Sequence, residues 1–156
     1  LYNIMSGIIK WAPHTWVFFH TFAAHINEDF FSKKKKIVLF IIKIICHNLP
    51  CPECTHHAAT FMNSVNENTV KSKKDLIKML YVFHNSVNIR TGKPVFPEEN
   101  LNIYNTYRMD FALIHFLNGY KAKYGSLMSG RLSNWTIRNR IKQKLINWMK
   151  LNWAQF

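Results

Sequence analysis

The sequence feature that most constrains the fold is a short cysteine motif, Leu-Pro-Cys-Pro-Glu-Cys-Thr-His-His, at residues 49–57. An apolar run at 37–45 precedes it, and a segment with the composition of a helix follows it. Pro50 disfavours helix in the residue before it, whereas Pro52 suits the first turn of a helix, where no N–H donor is needed. The motif therefore predicts one helix that ends before Pro50 and a second that begins at Cys51.

Two cysteines separated by two residues at the start of a helix have a definite chemistry. The free backbone N–H groups and the helix dipole favour a thiolate there, which lowers a cysteine pKa and makes the sulfur nucleophilic. Cys51 and Cys54 have this spacing, so they can close on each other. We interpret the pair as a dithiol/disulfide redox centre, and we expect the third cysteine, Cys46, to be a buried free thiol in the preceding helix.

Other interpretations of the motif stay open at this point. A structural zinc site needs four ligands, and the adjacent His56 and His57 point about 100° apart on a helix, so they rarely bind one metal together. A thioredoxin-like fold would place the motif within alternating strands and helices, and no such alternation follows it. Two unrelated buried cysteines would also show this spacing, although the dipeptide between them makes that less expected.

Length and composition indicate one folded domain, or one domain with an appendage. The chain has 156 residues, of which 48% are hydrophobic and 15% aromatic, and this argues against disorder. We expect no transmembrane segment, because no apolar run reaches about 18 residues, and no secretory signal. Three cysteines do not make a disulfide scaffold, so the fold must depend on its core.

The net charge of +13 means that many basic side chains either lie in solvent or contact a negatively charged partner. Four lysines at 33–36 are explained by a solvated helix end. Beyond Asp110, however, the chain carries eight basic residues and no acid. Such a segment suits nucleic acid, an anionic membrane or an acidic protein, and charge alone does not choose among them.

Hydrophobic spacing predicts an all-α protein. Apolar residues recur every three to four positions in most of the chain, and Gly92, Pro94 and Pro97 interrupt them. We predict a polar turn at 27–32, a break at 125–130, and a last helix with Ile137, Ile141, Leu145 and Trp148 on one stripe. The predicted helices cover 11–26, 33–48, 51–62, 73–90, 98–107, 111–124 and 134–153. The result is a four-helix bundle with a short fifth helix and extra C-terminal helices.

A second group of candidate residues lies at the end of the fourth predicted helix. His84, Val87 and Asn88 share one helical face, Asn85 lies near its edge, and Lys93 follows the helix end. A histidine and two amides on an inward face are costly to bury without partners. A flat, polar, phosphate-bearing cofactor would satisfy them, although a capped helix end would look similar.

Three blocks of the sequence together resemble the Erv/ALR family of FAD-dependent sulfhydryl oxidases. They are Trp-x-x-x-x-Trp-x-x-x-His-Thr-x-Ala-Ala at 11–24, Pro-Cys-x-x-Cys at 50–54, and His-Asn-x-Val-Asn-x-Arg-x-Gly-Lys-Pro at 84–94. The resemblance implies a helical FAD-binding domain at 1–108, which is homodimeric in most members. Residues 109–156 would then form a basic helical extension.

The resemblance also implies a role for each matched residue. Cys54 would lie against the flavin and pass electrons to it, and Cys51, nearer solvent, would be attacked by the thiolate of a protein substrate. Oxygen would then reoxidise the flavin and give hydrogen peroxide. No metal is implied. The implied cofactor-binding residues are Trp11, Trp16, His20, Cys54, His57, His84, Asn85, Val87, Asn88, Lys93 and Tyr104.

The sequence departs from the family pattern in two ways. Ala12 replaces a common glycine, and the second, shuttle cysteine pair of cellular members is missing. We therefore expect substrates, with or without a thioredoxin-like carrier, to reach Cys51 directly. This minimal form resembles the oxidases of large cytoplasmic DNA viruses, which implies a place in the host cytoplasm, the viral factory or the virion. The competing hypothesis is a small zinc-stabilised module or a basic module that binds nucleic acid or protein.

Overall fold

The computed structural model describes the backbone of residues 2–121 and 129–156, and the side chains of 11–121 and 134–156. Within these ranges the protein consists of helices joined by turns, which confirms the predicted all-α class. We label the α-helices α1 (Tyr2–His25), α2 (Glu28–Cys46), α3 (Pro52–Ser64), α4 (Lys73–Arg90), α5 (Met109–Tyr120) and α6 (Ser129–Leu151). The 3₁₀ helices are Glu98–Asn105 and Trp153–Gln155.

Helix α1 begins earlier than the sequence predicts. It starts at Tyr2 rather than at Trp11, so Pro13 lies inside the helix and not in its first turn. An interior proline removes one helical hydrogen bond and disfavours helix in the residue before it, but a helix can still run through it where packing compensates, so Pro13 is a weak start signal. The part of α1 that turns its face to the core runs from Trp11 to Ala23, within the predicted helix at 11–26.

Helix α2 also begins earlier, and the predicted polar turn at 27–32 is wrong. Asn27 is the N-cap: the backbone N–H of Phe30 donates to its side-chain oxygen at 3.0 Å. Glu28 and Asp29 occupy the first turn, where their negative charge is favourable to the helix dipole. The polar residues therefore start the helix rather than precede it, and the lysines at 33–36 lie in its second and third turns.

Side chains and one glycine fix both ends of α4 as predicted. Ser72 and Asp75 form a reciprocal capping box at the N-terminus. At the C-terminus Gly92 has φ +69°, and the N–H of Lys93 donates to the carbonyl of Asn88 at 2.8 Å. This pattern is a Schellman motif, in which a glycine takes the left-handed conformation that reverses the chain. It turns Lys93 back towards the bundle.

Two groups of three helices enclose one hydrophobic core. Helix α1 packs against α4 and α5, and α2 packs against α3 and α6. The buried face of α1 contributes Phe18, Phe19 and Phe22, and Phe18 stacks on Phe116 of α5 with ring centroids 4.5 Å apart. Ile141, Leu145 and Met149 of α6 belong to the same core; the central residues from α2 and α4 are Phe31, Val38, Ile42, Ile45, Leu76 and Leu80. Burial of these side chains orders the helix ends that form the site.

The C-terminal helices differ from the prediction in extent, and the buried stripe of α6 agrees with it in part. Helix α5 begins at Met109 and ends at Tyr120 with Lys121 as its C-cap, so the predicted 111–124 helix starts too late and runs too far. Helix α6 begins at Ser129, so Gly130 is inside it, and residues 125–128 of the predicted break lie outside the described residues. Ile141 and Leu145 are buried as predicted, but Ile137 is 41% exposed, whereas Arg138 is buried and its Nε donates to the carbonyl of Tyr120 at 3.1 Å. None of the described helices is both long and apolar enough to cross a membrane.

Candidate active site

The cysteine motif forms a disulfide at the N-terminus of α3. Cys51 and Cys54 are bonded, with their Cα atoms 5.2 Å apart. Cys51 is also the N-cap, and its sulfur accepts the backbone N–H of Cys54 at 3.3 Å, while Pro52 takes the first helical position. The hydroxyl of Thr55 donates to the carbonyls of Leu49 and Cys51, which holds the turn against the helix. The local sequence therefore places both sulfurs where the helix dipole favours a thiolate.

The two sulfurs have different surroundings. Cys54 is half-buried and lines a cavity, whereas Cys51 is 8% exposed and does not line it. Cys51 is therefore the more buried of the two cysteines, which differs from the prediction that it lies nearer solvent; it is the N-cap, in a turn that the Thr55 hydroxyl holds against the helix. The predicted placement of Cys54 towards a cofactor-sized space agrees with the geometry.

The cavity has a volume of about 460 Å³ and lies between α1, α3 and α4. It is largely apolar, with polar groups from the end of α4, and this size and lining suit an aromatic small molecule. The sequence blocks converge here although they are far apart in the chain. Eight of the predicted cofactor-binding residues line it: Trp11, Trp16, Cys54, His84, Val87, Asn88, Lys93 and Tyr104.

Aromatic rings form one wall of the cavity. Trp16 stacks on His84 with ring centroids 4.2 Å apart and planes 10° apart. Phe83 meets Trp16 edge to face at 5.0 Å, and Tyr104 stacks on His20 at 4.7 Å. Stacked rings have little rotational freedom, so the wall presents flat faces in fixed orientations.

A hydrogen bond between two histidines supports this wall. Nε2 of His20 lies 3.0 Å from Nδ1 of His84. Burial and the neighbouring His84 lower the pKa of His20 to about 3, and burial and the cation of Lys93 lower the pKa of His84 to about 4. Both rings are therefore neutral at neutral pH, and one must donate the N–H that the other accepts.

Cations stand at the edge of the cavity. Lys93 and Arg90 both line it and both are exposed. The guanidinium of Arg90 lies 3.7 Å from the carboxylate of Glu53 on α3, which ties the end of α4 to the helix that carries the disulfide. Two cations beside an apolar slot are suited to a ligand with a flat ring and a phosphate group.

Three predicted cofactor-binding residues do not line the cavity. His20 lies behind His84 and borders a neighbouring cavity. The side-chain amide of Asn85 is already hydrogen-bonded to the backbone of the following loop. Its N–H donates to the carbonyl of Phe96 at 3.1 Å, and its oxygen accepts the N–H of Phe96 at 2.7 Å. His57 points away from the cavity to Glu53, 3.9 Å distant, and is partly exposed. Sequence spacing alone does not show the partners of His20 and Asn85, whereas the His57–Glu53 pair has the i, i+4 spacing of neighbours on one helix.

Several cavity residues were missed by the sequence analysis. Thr91 follows Val87 and Asn88 at helical spacing, and Ala12, Thr15 and Phe19 extend the stripe of Trp16 along α1. Continuing each predicted stripe by one turn would have found these residues. Leu49 and Arg90 belong to the cysteine motif at 49–57 and to the matched block at 84–94, so their motifs could have indicated them; they reach the cavity from the turn before α3 and from the end of α4.

The described side chains offer no ligand set for a metal. No group of three or more histidine, cysteine, aspartate or glutamate side chains lies close enough together, within the part of the chain that the structure describes, to hold an ion. His56 and His57 have ring centroids 5.5 Å apart with planes 71° apart. The zinc-stabilised alternative therefore lacks support from this part of the chain.

The fold and the site define a class of protein: a helical redox protein with a disulfide at a helix N-terminus beside an aromatic, cation-edged cavity. The sequence model of the Erv1 / Alr family matches residues 13–108, more than half of the chain. The chain belongs to the Erv1/Alr family. Residues 109–156, which include α5 and α6, lie outside the match.

Relatives from viruses and plants agree with this assignment. The chain is 32% identical over 98 residues to a "Putative FAD-linked sulfhydryl oxidase 347L" of Invertebrate iridescent virus 6, covering 56% of this chain and 85% of the relative. It is 29% identical over 99 residues to a "FAD-linked sulfhydryl oxidase" of African swine fever virus, covering 62% and 82%. It is 35% identical over 88 residues to "FAD-linked sulfhydryl oxidase ERV1" of Arabidopsis thaliana, covering 56% and 46%. No solved structure matches the chain significantly.

Proposed function

We propose that this protein is an FAD-linked sulfhydryl oxidase. It would convert two thiols and O₂ into a disulfide and H₂O₂. The observation that carries the proposal is that one sulfur of the α3 disulfide, that of Cys54, lines the cavity to which the other two matched blocks, at 11–24 and 84–94, contribute. Family membership and the printed names of the viral and plant relatives support the same activity.

The cavity residues fit FAD. The indole N–H of Trp11 is buried and has no hydrogen-bond partner among the described residues, so a ligand group could satisfy it. Trp16 and His84 offer flat faces, and Lys93 and Arg90 could bind the diphosphate. Burial and the neighbouring Tyr107 raise the pKa of Tyr104 to about 12, so its phenol remains neutral. When bound, FAD supplies the chemistry that takes two electrons from a dithiol and passes them to oxygen.

The chain's own contribution is thiol–disulfide exchange. A substrate thiolate attacks Cys51, a new sulfur–sulfur bond forms, and the Cys51–Cys54 bond breaks with its electron pair on Cys54. A second substrate thiol attacks the mixed disulfide, which releases the oxidised substrate and returns Cys51 as a thiolate. The two substrate thiols lose two protons, and two electrons remain on the Cys51–Cys54 pair. The N–H of Cys54 and the α3 dipole stabilise negative charge on Cys51.

The buried position of Cys51 adds a requirement to this reaction. In-line attack needs an approach to its sulfur from the side opposite Cys54, and Cys51 is only 8% exposed. The turn at 48–50, which joins α2 to α3, or a neighbouring side chain must therefore shift when a substrate arrives. A flexible protein segment that carries the substrate thiol suits such a site better than a rigid surface.

The finer assignments extend the same proposal. We propose residues 1–108 as the oxidase domain and 109–156 as a helical extension that completes the core. The viral names of several relatives favour a viral enzyme that oxidises viral protein thiols in the host cytoplasm or virion. Within the 156 residues only Cys46 remains beside the disulfide, so a protein substrate or a thioredoxin-like carrier would react with Cys51 itself. Homodimerisation remains a prediction from the family resemblance.

The absorption spectrum of the purified chain tests the proposal. We expect a visible flavin band that bleaches when dithiothreitol is added without oxygen and returns in air with release of H₂O₂. A folded protein that stays colourless after incubation with FAD would contradict the cofactor assignment. A yellow protein whose flavin is not reduced by dithiols would contradict the oxidase assignment.

A further inference from the structure

Helices α2 and α6 share an exposed surface that the disulfide and its cavity do not use. On α2, Lys33, Lys36, Phe40 and Lys43 follow each other at spacings of three and four, so they lie on one helical face. On α6, Ile137 and Lys144 lie at the same edge, seven residues apart. We call these six residues, together with Ile37 beside Phe40, the α2–α6 face.

Apolar side chains on this face are open to solvent. Phe40 is 54% exposed, Ile137 is 41% exposed, and Ile37, beside Phe40, is 37% exposed. Between the two helices lies a shallow groove of about 150 Å³, lined by isoleucines, Phe40, Leu145, Trp148 and one cation, Lys144. Contiguous exposed apolar surface of this kind marks a contact site more often than scattered single residues do.

The charge around this apolar surface has one sign. No aspartate or glutamate occurs between Asp29 and Glu53 or after Asp110, so α2 beyond its first turn and the whole of α6 lack acids. Among the ion pairs of the described side chains, none joins a carboxylate to Lys33, Lys36, Lys43 or Lys144. The face therefore has free positive charge and suits a negatively charged partner.

We propose that the α2–α6 face binds the surface of an anionic lipid bilayer. Exposed aliphatic and aromatic side chains interleaved with lysines are the signature of interfacial membrane binding. The apolar side chains would enter the boundary between headgroups and acyl chains. The aliphatic stems of the lysines would lie along this apolar surface, and their ammonium groups would contact lipid phosphates. A nucleic acid would use the lysines but would leave Ile37, Phe40 and Ile137 in water. An acidic protein is disfavoured because the positive charge runs along two helices instead of forming one pocket.

This contact would be peripheral and would orient the protein. No described helix can span a bilayer, so the chain would lie on the membrane with α2 in the plane of the surface. The C-terminal end of α2 leads through a short turn to Cys51, so the disulfide would lie near that surface. The proposal does not depend on the cofactor or on oxidase activity.

Vesicle co-sedimentation of the full-length chain tests the proposal. Vesicles of phosphatidylcholine with about 30% phosphatidylserine should bind the wild type, and vesicles of phosphatidylcholine alone should not. The charge variant Lys33→Gln/Lys36→Gln/Lys43→Gln should bind about 100-fold more weakly, because each lysine near an anionic surface contributes about fivefold. Phe40→Ser should weaken binding about tenfold through lost apolar burial.

Matched variants elsewhere on the surface separate a specific face from net charge. Lys71→Gln/Lys74→Gln/Lys121→Gln removes the same charge from exposed positions, and Ile89→Ser removes a side chain that is 68% exposed on α4. We expect both to bind anionic vesicles within a few-fold of wild type, and circular dichroism should show all variants folded. The proposal is overturned if the wild type ignores anionic vesicles, or if the control triple weakens binding as much as the α2–α6 triple. Binding of short duplex DNA with the same lysine dependence, and no vesicle binding, would instead assign the face to nucleic acid.

Discussion

His20 and His84, which are 64 residues apart in the sequence, meet through a hydrogen bond of 3.0 Å between their rings. The bond joins the first sequence block to the third and holds His84 against Trp16, at the wall of the cavity. At least one ring must be neutral to accept this bond, since two imidazolium rings carry only donors and would repel each other.

Stability should fall in mild acid because of this pair. The pKa values of His20 and His84 are lowered to about 3 and about 4, so the folded state resists protonation while the unfolded chain takes up protons near pH 6.5. Stability is therefore complete above the unfolded pKa and is lost as the pH falls below it. For His20 alone we expect the free energy of unfolding to drop by about 2 kcal/mol between about pH 7 and about pH 5.

Urea denaturation at the two pH values measures this loss. His20→Gln should be less stable at neutral pH and should show a flatter pH dependence, whereas exposed His56→Gln should behave as wild type. An unchanged pH dependence in His20→Gln would show that other groups cause the acid sensitivity.

Cys54→Ala should separate cofactor binding from catalysis. The cavity loses one sulfur but keeps its aromatic wall and its cations, so FAD should still bind. Reduction of the flavin by dithiothreitol should fall by at least about 1000-fold, since no disulfide can form to receive the electrons. Anaerobic stopped-flow absorbance checks this, with the exposed Ser64→Ala on the same helix as the control. Normal turnover in Cys54→Ala would exclude the proposed path.

Asn85→Ala should loosen the loop after α4. The variant removes both hydrogen bonds to the backbone of Phe96, and each contributes about 1 kcal/mol, so the free energy of unfolding should fall by about 2 kcal/mol. FAD affinity should fall as well, because this loop carries Lys93. Denaturation and FAD titration measure the two effects, with exposed Asn100→Ala as the comparison. Weaker FAD binding without any loss of stability would indicate direct contact with the cofactor instead.

Arg138→Ala should show whether α6 is part of the folding unit. Its buried guanidinium donates to the carbonyl of Tyr120 at the end of α5, and a hydrogen bond from a charged group contributes about 1.5–3 kcal/mol. We expect a single cooperative unfolding transition, with a free energy of unfolding that is lower by at least that amount. Arg140 is exposed on the same helix, so Arg140→Ala should lower the free energy of unfolding by less than about 0.5 kcal/mol. A separate early transition for the C-terminal helices would mean that they fold independently.

Local signals in the sequence predicted much of this architecture. The helix start at Lys73, the stop at Gly92 and the helix that begins at the Cys51 motif each depend on neighbouring residues, and the structure shows all three. Asn27 is also a residue type that favours an N-cap, but the polar composition of 27–32 predicted a turn there instead of a helix start.

Contacts between distant parts of the chain were harder to predict. The bonds of Asn85 to a loop 11 residues away, the burial of Cys51 and the place of Arg138 instead of Ile137 in the buried stripe of α6 all depend on packing that only the folded chain defines. Spacing along a helix identifies a face, but it does not say which side chains on that face are already bound to other parts of the protein.

Cys46 lines the cavity but is buried, and this burial raises the pKa of its thiol. In a protein that makes disulfides for other chains, a free cysteine near the active disulfide could form an incorrect disulfide with it or with a substrate. Held as a neutral thiol without access to solvent, Cys46 cannot compete for the Cys51–Cys54 bond or be captured by a substrate. The core of this bundle thus preserves the fidelity of the exchange reaction, because it keeps one sulfur permanently out of it.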